Sequence, residues 1–168
     1  TVPLPVEAGE IHGNEEDDNV SLGSDSFASN TKGDDNTASG SYALYSNVGK
    51  ENTAIGASAL KDNIRGNKNT GLGTAALTGN TTGHRNTGLG IRAGGKNNGS
   101  GNIFIGYEVG YNNSYLTVSD TLVMANGSGT SDTLITGDFS ASTVDVNGSL
   151  NAQWVTTSSD ARLKRDIK

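Results

Sequence analysis

An Asn followed four residues later by a Gly recurs six times in this chain. The Asn are Asn19, Asn36, Asn52, Asn69, Asn86 and Asn102. The matching Gly are Gly23, Gly40, Gly56, Gly73, Gly90 and Gly106. Successive units are 17, 16, 17, 17 and 16 residues long. The residue before each of these Gly is Leu22, Ser39, Ile55, Leu72, Leu89 or Ile105. Seven residues after each Asn stands a small or apolar side chain: Ser26, Ala43, Ala59, Ala76, Ala93 or Val109. The column after that reads Phe27, Leu44, Leu60 and Leu77, then Gly94 and Gly110. A second Gly stands three residues before each new Asn, at Gly33, Gly49, Gly66, Gly83 and Gly99.

This period narrows the fold sharply. A helix pair takes about 34 residues, twice what one unit offers. A unit of 16–17 residues holds short strands and turns, two of each. The Gly columns mark positions that need positive φ or close backbone approach. The fold class is therefore all-β. The repeats predict a parallel β-roll or β-solenoid of about six coils, stacked about 4.8 Å apart and rising roughly 25 Å in all. Like side chains then stack coil on coil, so Asn and Thr ladders satisfy one another.

Composition says how such a coil stack must be stabilised. Leu, Ile, Val and Phe number 33 of 168 residues, just under a fifth, beside 24 Gly and 2 Pro. That excludes an enzyme domain with a large aliphatic core. A formal charge of only −6 separates the chain from a highly charged disordered tail. A thin core of this kind predicts an elongated homotrimer. Either the row Leu22, Ile55, Leu72, Leu89 and Ile105 or the row Leu44, Leu60 and Leu77 would be buried between copies. A lone solenoid is the alternative. A pI near 4.7 argues against nucleic acid as a partner. No apolar run approaches the roughly 18 residues of a membrane span, so no membrane insertion is expected. The absence of Cys removes disulfides and Cys-based zinc sites.

The expected domains are a linker or lead-in segment over 1–18, β-roll repeats over 19–112, a β-rich stalk over 113–157 and a different terminal segment over 158–168. Strand-like runs in the stalk are Tyr115–Val118, Thr121–Met124, Thr133–Thr136 and Thr143–Val146. Turn signals at Asn126-Gly127, Gly137-Asp138 and Asn147-Gly148 divide them. Trp154 reads as a core or subunit-contact anchor.

Few residues invite chemistry. Glu15-Glu16-Asp17-Asp18 supplies hard oxygens but lacks the spaced acidic pattern of a calcium loop. His12 and His84 have no metal-ligand spacing, so neither a metal nor a cofactor is expected. Thr37, Thr53, Thr70 and Thr87 form a single Thr column, too narrow for an ice-binding face. No carboxylate pair has the spacing of a glycoside hydrolase. Tyr42, Tyr45, Tyr107 and Tyr111 are the candidates for receptor contact by stacking on sugars, with packing between subunits as the competing role.

The Asn-Thr-x-x-Gly units resemble repeats in phage tail fibres and in the head coils of trimeric autotransporter adhesins. The stretch from Leu134 to Leu150 resembles the neck common in tail-fibre proteins. The terminal Ser158-Ser159-Asp160-Ala161-Arg162-Leu163-Lys164-Arg165-Asp166-Ile167 is similar to the opening of the endosialidase-type intramolecular chaperone domain. These resemblances imply a structural and receptor-binding segment of a trimeric virion appendage. Its partners would be further copies of itself, host cell-surface polysaccharide or protein, and other tail or capsid proteins. A bacterial trimeric surface adhesin is the second possibility. The third is a fragment of a self-cleaving fibre. The chaperone resemblance implies a Ser-Lys dyad at Ser159 and Lys164, in which Ser attacks a peptide bond and a neutral Lys takes its proton. Neutral Lys requires burial. The chain stops at Lys168 without the rest of that domain, so a truncated chain with an inert dyad, and no enzyme activity of its own, is expected.

Overall fold

A computed structural model describes residues 18–30, 32–111 and 115–149. Each repeat forms one coil of a parallel β-solenoid. The expectation of two strands per coil is corrected: one three-residue strand forms, and the rest of each coil is consecutive turns. The strands are β1 (Val20–Leu22), β2 (Thr37–Ser39), β3 (Thr53–Ile55), β4 (Thr70–Leu72), β5 (Thr87–Leu89) and β6 (Ile103–Ile105). They pair in sequence order and in register, Thr53 beside Thr70 and Ile55 beside Leu72.

The reason for a single strand lies in the turn residues. Two positions in every turn segment take the left-handed conformation whatever residue occupies them. One holds Tyr42 (φ 59°) and Arg92 (φ 56°), the other Leu44 (φ 48°) and Leu60 (φ 50°). Left-handed backbone costs an L-residue roughly 1–2 kcal/mol, so something must hold these turns. Backbone bonds between coils do so: Leu44 N donates to Ala59 O (3.0 Å) and Ser58 N to Ser41 O (2.8 Å). The turns are thus laddered as the strands are.

The first Gly column follows the strand in every coil, and both reasons expected for it hold. Gly23, Gly40, Gly56, Gly73, Gly90 and Gly106 all have φ between 127° and 140°. Each also sits against the backbone of the next rung. An added Cβ on Gly56 would meet the carbonyl carbon of Gly73 at 2.6 Å. Gly23 and Gly40 face the following Gly of the column in the same way, and so does Gly90. Gly106, the last of the six, has no seventh Gly above it and faces the Ala125 backbone instead.

The core is one side chain thick. The middle residue of each strand points inward, and Leu44, Leu60 and Leu77 reach across from the turns with no exposure. Large and small residues compensate. Leu60 and Leu77 occupy the space that a Cβ on Gly71 or Gly88 would need. In the sixth coil Phe104 takes the strand position instead, and Gly94 and Gly110 stand where the Leu column would collide with it.

After the sixth coil the sheet continues. β7 (Thr121–Ala125) pairs parallel with β6, making a seventh rung. β8 (Thr133–Asp138) and β9 (Thr143–Val146) then add antiparallel to the same sheet. Two expectations for this region are corrected. Tyr115–Val118 forms no strand, because the chain there closes the sixth coil: Asn98 N donates to Leu116 O (2.7 Å) and Asn102 Nδ2 to Val118 O (2.7 Å). Gly137-Asp138 is no turn; both residues lie within β8. The turn comes at residues 139–142, held by Asp138, whose Oδ1 accepts from Ser140 N (2.8 Å), Ser140 Oγ (2.6 Å) and Ala141 N (2.9 Å). Those hydrogen bonds, from the Ser140 hydroxyl first and the Ala141 amide next, hold its carboxyl below the ordinary value.

Candidate functional site

The six repeat Asn are interior, and they form a hydrogen-bonded ladder. Asn69 is fully buried; its Nδ2 donates to Gly83 O (2.9 Å) and to Asn52 Oδ1 (3.1 Å), and its own Oδ1 accepts from Asn86 N (2.9 Å). Asn36, Asn52 and Asn102 repeat the scheme. Asn19 opens it, with Oδ1 accepting from Asn36 N (2.9 Å). Thr121 N ends it by donating to Asn102 Oδ1 (3.0 Å). A second column, Asn47, Asn63, Asn80 and Asn97, is equally buried. Asn63 Nδ2 donates to Asn47 Oδ1 (2.8 Å) and Asn80 Nδ2 to Asn63 Oδ1 (2.9 Å). Sequence reasoning missed this column, although an Asn stands eleven residues after each of the first five repeat Asn. Among the described residues no buried side-chain polar atom lacks a partner. The repeat Asn side chains are thus taken up by hydrogen bonds within and between coils.

Two outward faces are distinctive. On the strand face the first and third residues of each strand point out. The third-residue row is Leu22, Ser39, Ile55, Leu72, Leu89 and Ile105, and the first-residue row beside it runs from Val20 through four Thr to Ile103; Met124 and Leu122 of β7 extend the two rows in register. Neither row carries a charge. Leu22 is 52% exposed and Leu72 41%. Of the two rows that sequence reasoning offered for contact between copies, only this one is accessible, since Leu44, Leu60 and Leu77 are sealed in the core. The strand face runs on into an open pocket of about 360 Å³ lined by Ile105, Met124, Ala125 and Leu134, with Asn126 and Asp132 at its polar side.

The turn segment lies across the core from the strands and carries all four candidate Tyr. Tyr42 and Tyr45, three residues apart on one turn, pack with ring centroids 5.7 Å apart. Tyr107 and Tyr111 occupy the sixth coil, far from that pair, so the four do not form one site. Tyr107 is exposed and Tyr111 half-buried. Around Tyr111 stand Lys96, with Nζ 4.9 Å from the ring centroid, and Arg92, with Cζ at 5.5 Å. Arg92 also pairs with Glu108 of the next coil. The Glu108 hydrogen bond, and then its charge, hold the guanidinium above its ordinary value.

The charge of the chain is segregated along the coils. Between Gly49 and Tyr107 there are seven Lys or Arg and only Glu51 and Asp62 as acids. Before Gly49 a single cation, Lys32, stands among nine acids; from Glu108 to Ser149 there are five acids and no Lys or Arg. The chain-wide pI averages over this banding, so the central basic band escaped a reading from totals.

Other candidates are placed as follows. Thr37, Thr53, Thr70 and Thr87 form the expected single column on the strand face. His84 accepts from Asn67 N through Nδ1 (3.0 Å), a rung in an edge ladder. Among the described residues no group of acidic or His side chains is placed to hold a metal ion. Nor is any described helix long and apolar enough to cross a membrane. Ser159, Lys164, Trp154, His12 and residues 15–17 lie outside the described residues. Comparison with known proteins finds no matching family model, curated protein or solved structure. What stands is a β-solenoid of about six coils of about 17 residues.

Proposed function

We propose that the chain is a structural and receptor-binding segment of a trimeric fibre, a virion appendage of the tail-fibre kind. The observation that carries this reading is the strand face. An uncharged row, apolar at every coil but the second, where Ser39 stands, runs the length of the solenoid, with Leu22, Ile55, Leu72 and Leu89 each 41–52% exposed. A soluble protein rarely leaves so extended an apolar strip open to water. Each coil presents the same pair of positions, so copies packed side by side about a common axis meet rank by rank. The Asn-Thr-x-x-Gly resemblance to fibre and adhesin coils supports the same reading. Function is then mechanical and multivalent: a stiff body holds weak surface contacts at high effective concentration.

Sedimentation equilibrium tests this directly. The full chain is expected to run as a trimer at micromolar concentration. Replacing Leu72 and Leu89 by Lys is expected to give folded monomer, because both side chains already point outward and their exchange leaves the core intact. A monomer at about 100 μM for the unaltered chain would sink the proposal.

A further inference from the structure

We propose that the turn face of the fifth and sixth coils, where Tyr107 and Tyr111 stand beside Arg92 and Lys96, binds the carboxylate-bearing sugar of an acidic glycan. This deepens the receptor-binding reading above and rests on it. The local geometry is built for a ring with one negative charge. Tyr111 lies against Gly95, where an added Cβ would meet its ring at 2.9 Å, so the backbone of the fifth coil fixes the ring in place. Tyr107 is exposed and offers an aromatic face for the C–H side of a sugar, while the half-buried Tyr111 holds the two cations beside it. Lys96 is exposed and has no acidic partner among the described residues. Its ammonium is held over Tyr111, ready for a carboxylate. Arg92 gives one guanidinium nitrogen to Glu108 and keeps other N–H donors free. Glu108 is an acceptor for sugar hydroxyls.

Charge distinguishes the ligand. Arg92 and Lys96 against Glu108 leave one net positive charge. That matches a single carboxylate better than a run of phosphates, which Glu108 would repel. The acidic coils before the basic band and the acidic residues after it exclude a long polyanion from following the solenoid axis. Within the band a short acidic saccharide is drawn to the site. The two Tyr and the two cations come from neighbouring coils, so the site exists only when the solenoid is stacked.

The test is NMR titration of the full chain with sialyllactose, lactose and oligothymidylate as probes, with sedimentation run on the same samples. Sialyllactose is expected to shift the signals of Tyr107, Tyr111, Arg92 and Lys96 with a Kd in the millimolar range, and lactose to bind about tenfold more weakly, ~1.4 kcal/mol. Lys96→Gln should cost sialyllactose most of that tenfold advantage and leave lactose unchanged. Tyr111→Ala should weaken both. Lys96 is exposed and outside the core, so its variant stays folded even if Tyr111→Ala does not. Equal binding of the two sugars, binding of neither, or tighter binding of oligothymidylate at the same residues would overturn the proposal. A trimer that ignores sialyllactose removes this site alone. A monomer removes the fibre reading, whatever the titration gives.

Discussion

The buried amides carry the heaviest demands on single residues. Asn69→Ala strips the buried Asn86 N–H of its partner and takes one of two donors from the Gly83 carbonyl, which keeps Asn80 Nδ2. A buried orphan costs about 1–3 kcal/mol, so a loss of about 2 kcal/mol in urea unfolding is expected. Thr70→Ala, next in the chain but pointing away from the core, should stay within about 0.5 kcal/mol. A second residue-scale test concerns the exchange of bulk between columns. Gly94→Leu drives a side chain into Phe104, and Phe104→Ala empties the core at a cost of about 3–5 kcal/mol. The double variant should be more stable than the sum of the two losses predicts, in a double-mutant cycle on thermal unfolding. Additive losses would show that the two columns do not share space.

Among elements, the turn between β8 and β9 depends on one ionised carboxylate. Asp138 has its folded value lowered by hydrogen bonds that only the charged form accepts fully. Its contribution to the hairpin is therefore complete above the ordinary Asp value and is lost as pH falls through the lowered folded value. The β8–β9 amide signals should broaden or shift in acid while the coil signals hold. Ser140→Ala should move the Asp138 carboxyl titration back toward the ordinary value; an unchanged titration would rule out the Ser140 hydroxyl as the main cause. The elements also show how far sequence reaches. Coil number, coil boundaries and parallel pairing were legible because identical chemistry recurs at a fixed interval. The single strand per coil was not, since Leu44 and Tyr42 are poor advertisements for left-handed backbone. Only bonds between coils hold them there, and a linear reading sees one coil at a time. Thr121–Met124 was legible as a strand, but its role as a seventh rung depends on pairing with Ile103–Ile105 across a 19-residue coil that breaks the period.

At the scale of the whole molecule, the candidate surfaces were less legible than the fold. Tyr107 and Tyr111 could be named, but Lys96 and Arg92 joined them only once the coils were stacked. Total charge likewise concealed a basic band over 50–106 between acidic stretches at 1–48 and 108–149. The two apolar rows differ in which way each points. Leu44, Leu60 and Leu77 are sealed, and Leu22, Ile55, Leu72 and Leu89 are open.

The coils differ in length at one corner only. Asn30, Asn63 and Asn80 stand three residues before their Gly, whereas Asn47 and Asn97 stand two before theirs. Both lengths leave the Asn side chain on the same Gly, with Gly33 N bonding Asn30 Oδ1 at 2.8 Å and Gly49 N bonding Asn47 Oδ1 at 3.2 Å. That corner therefore works as an expansion joint. Peptide can be added there without disturbing the rungs above or below, which makes it the natural port through which evolution, or a protein engineer, would graft a new loop onto an unchanged rod.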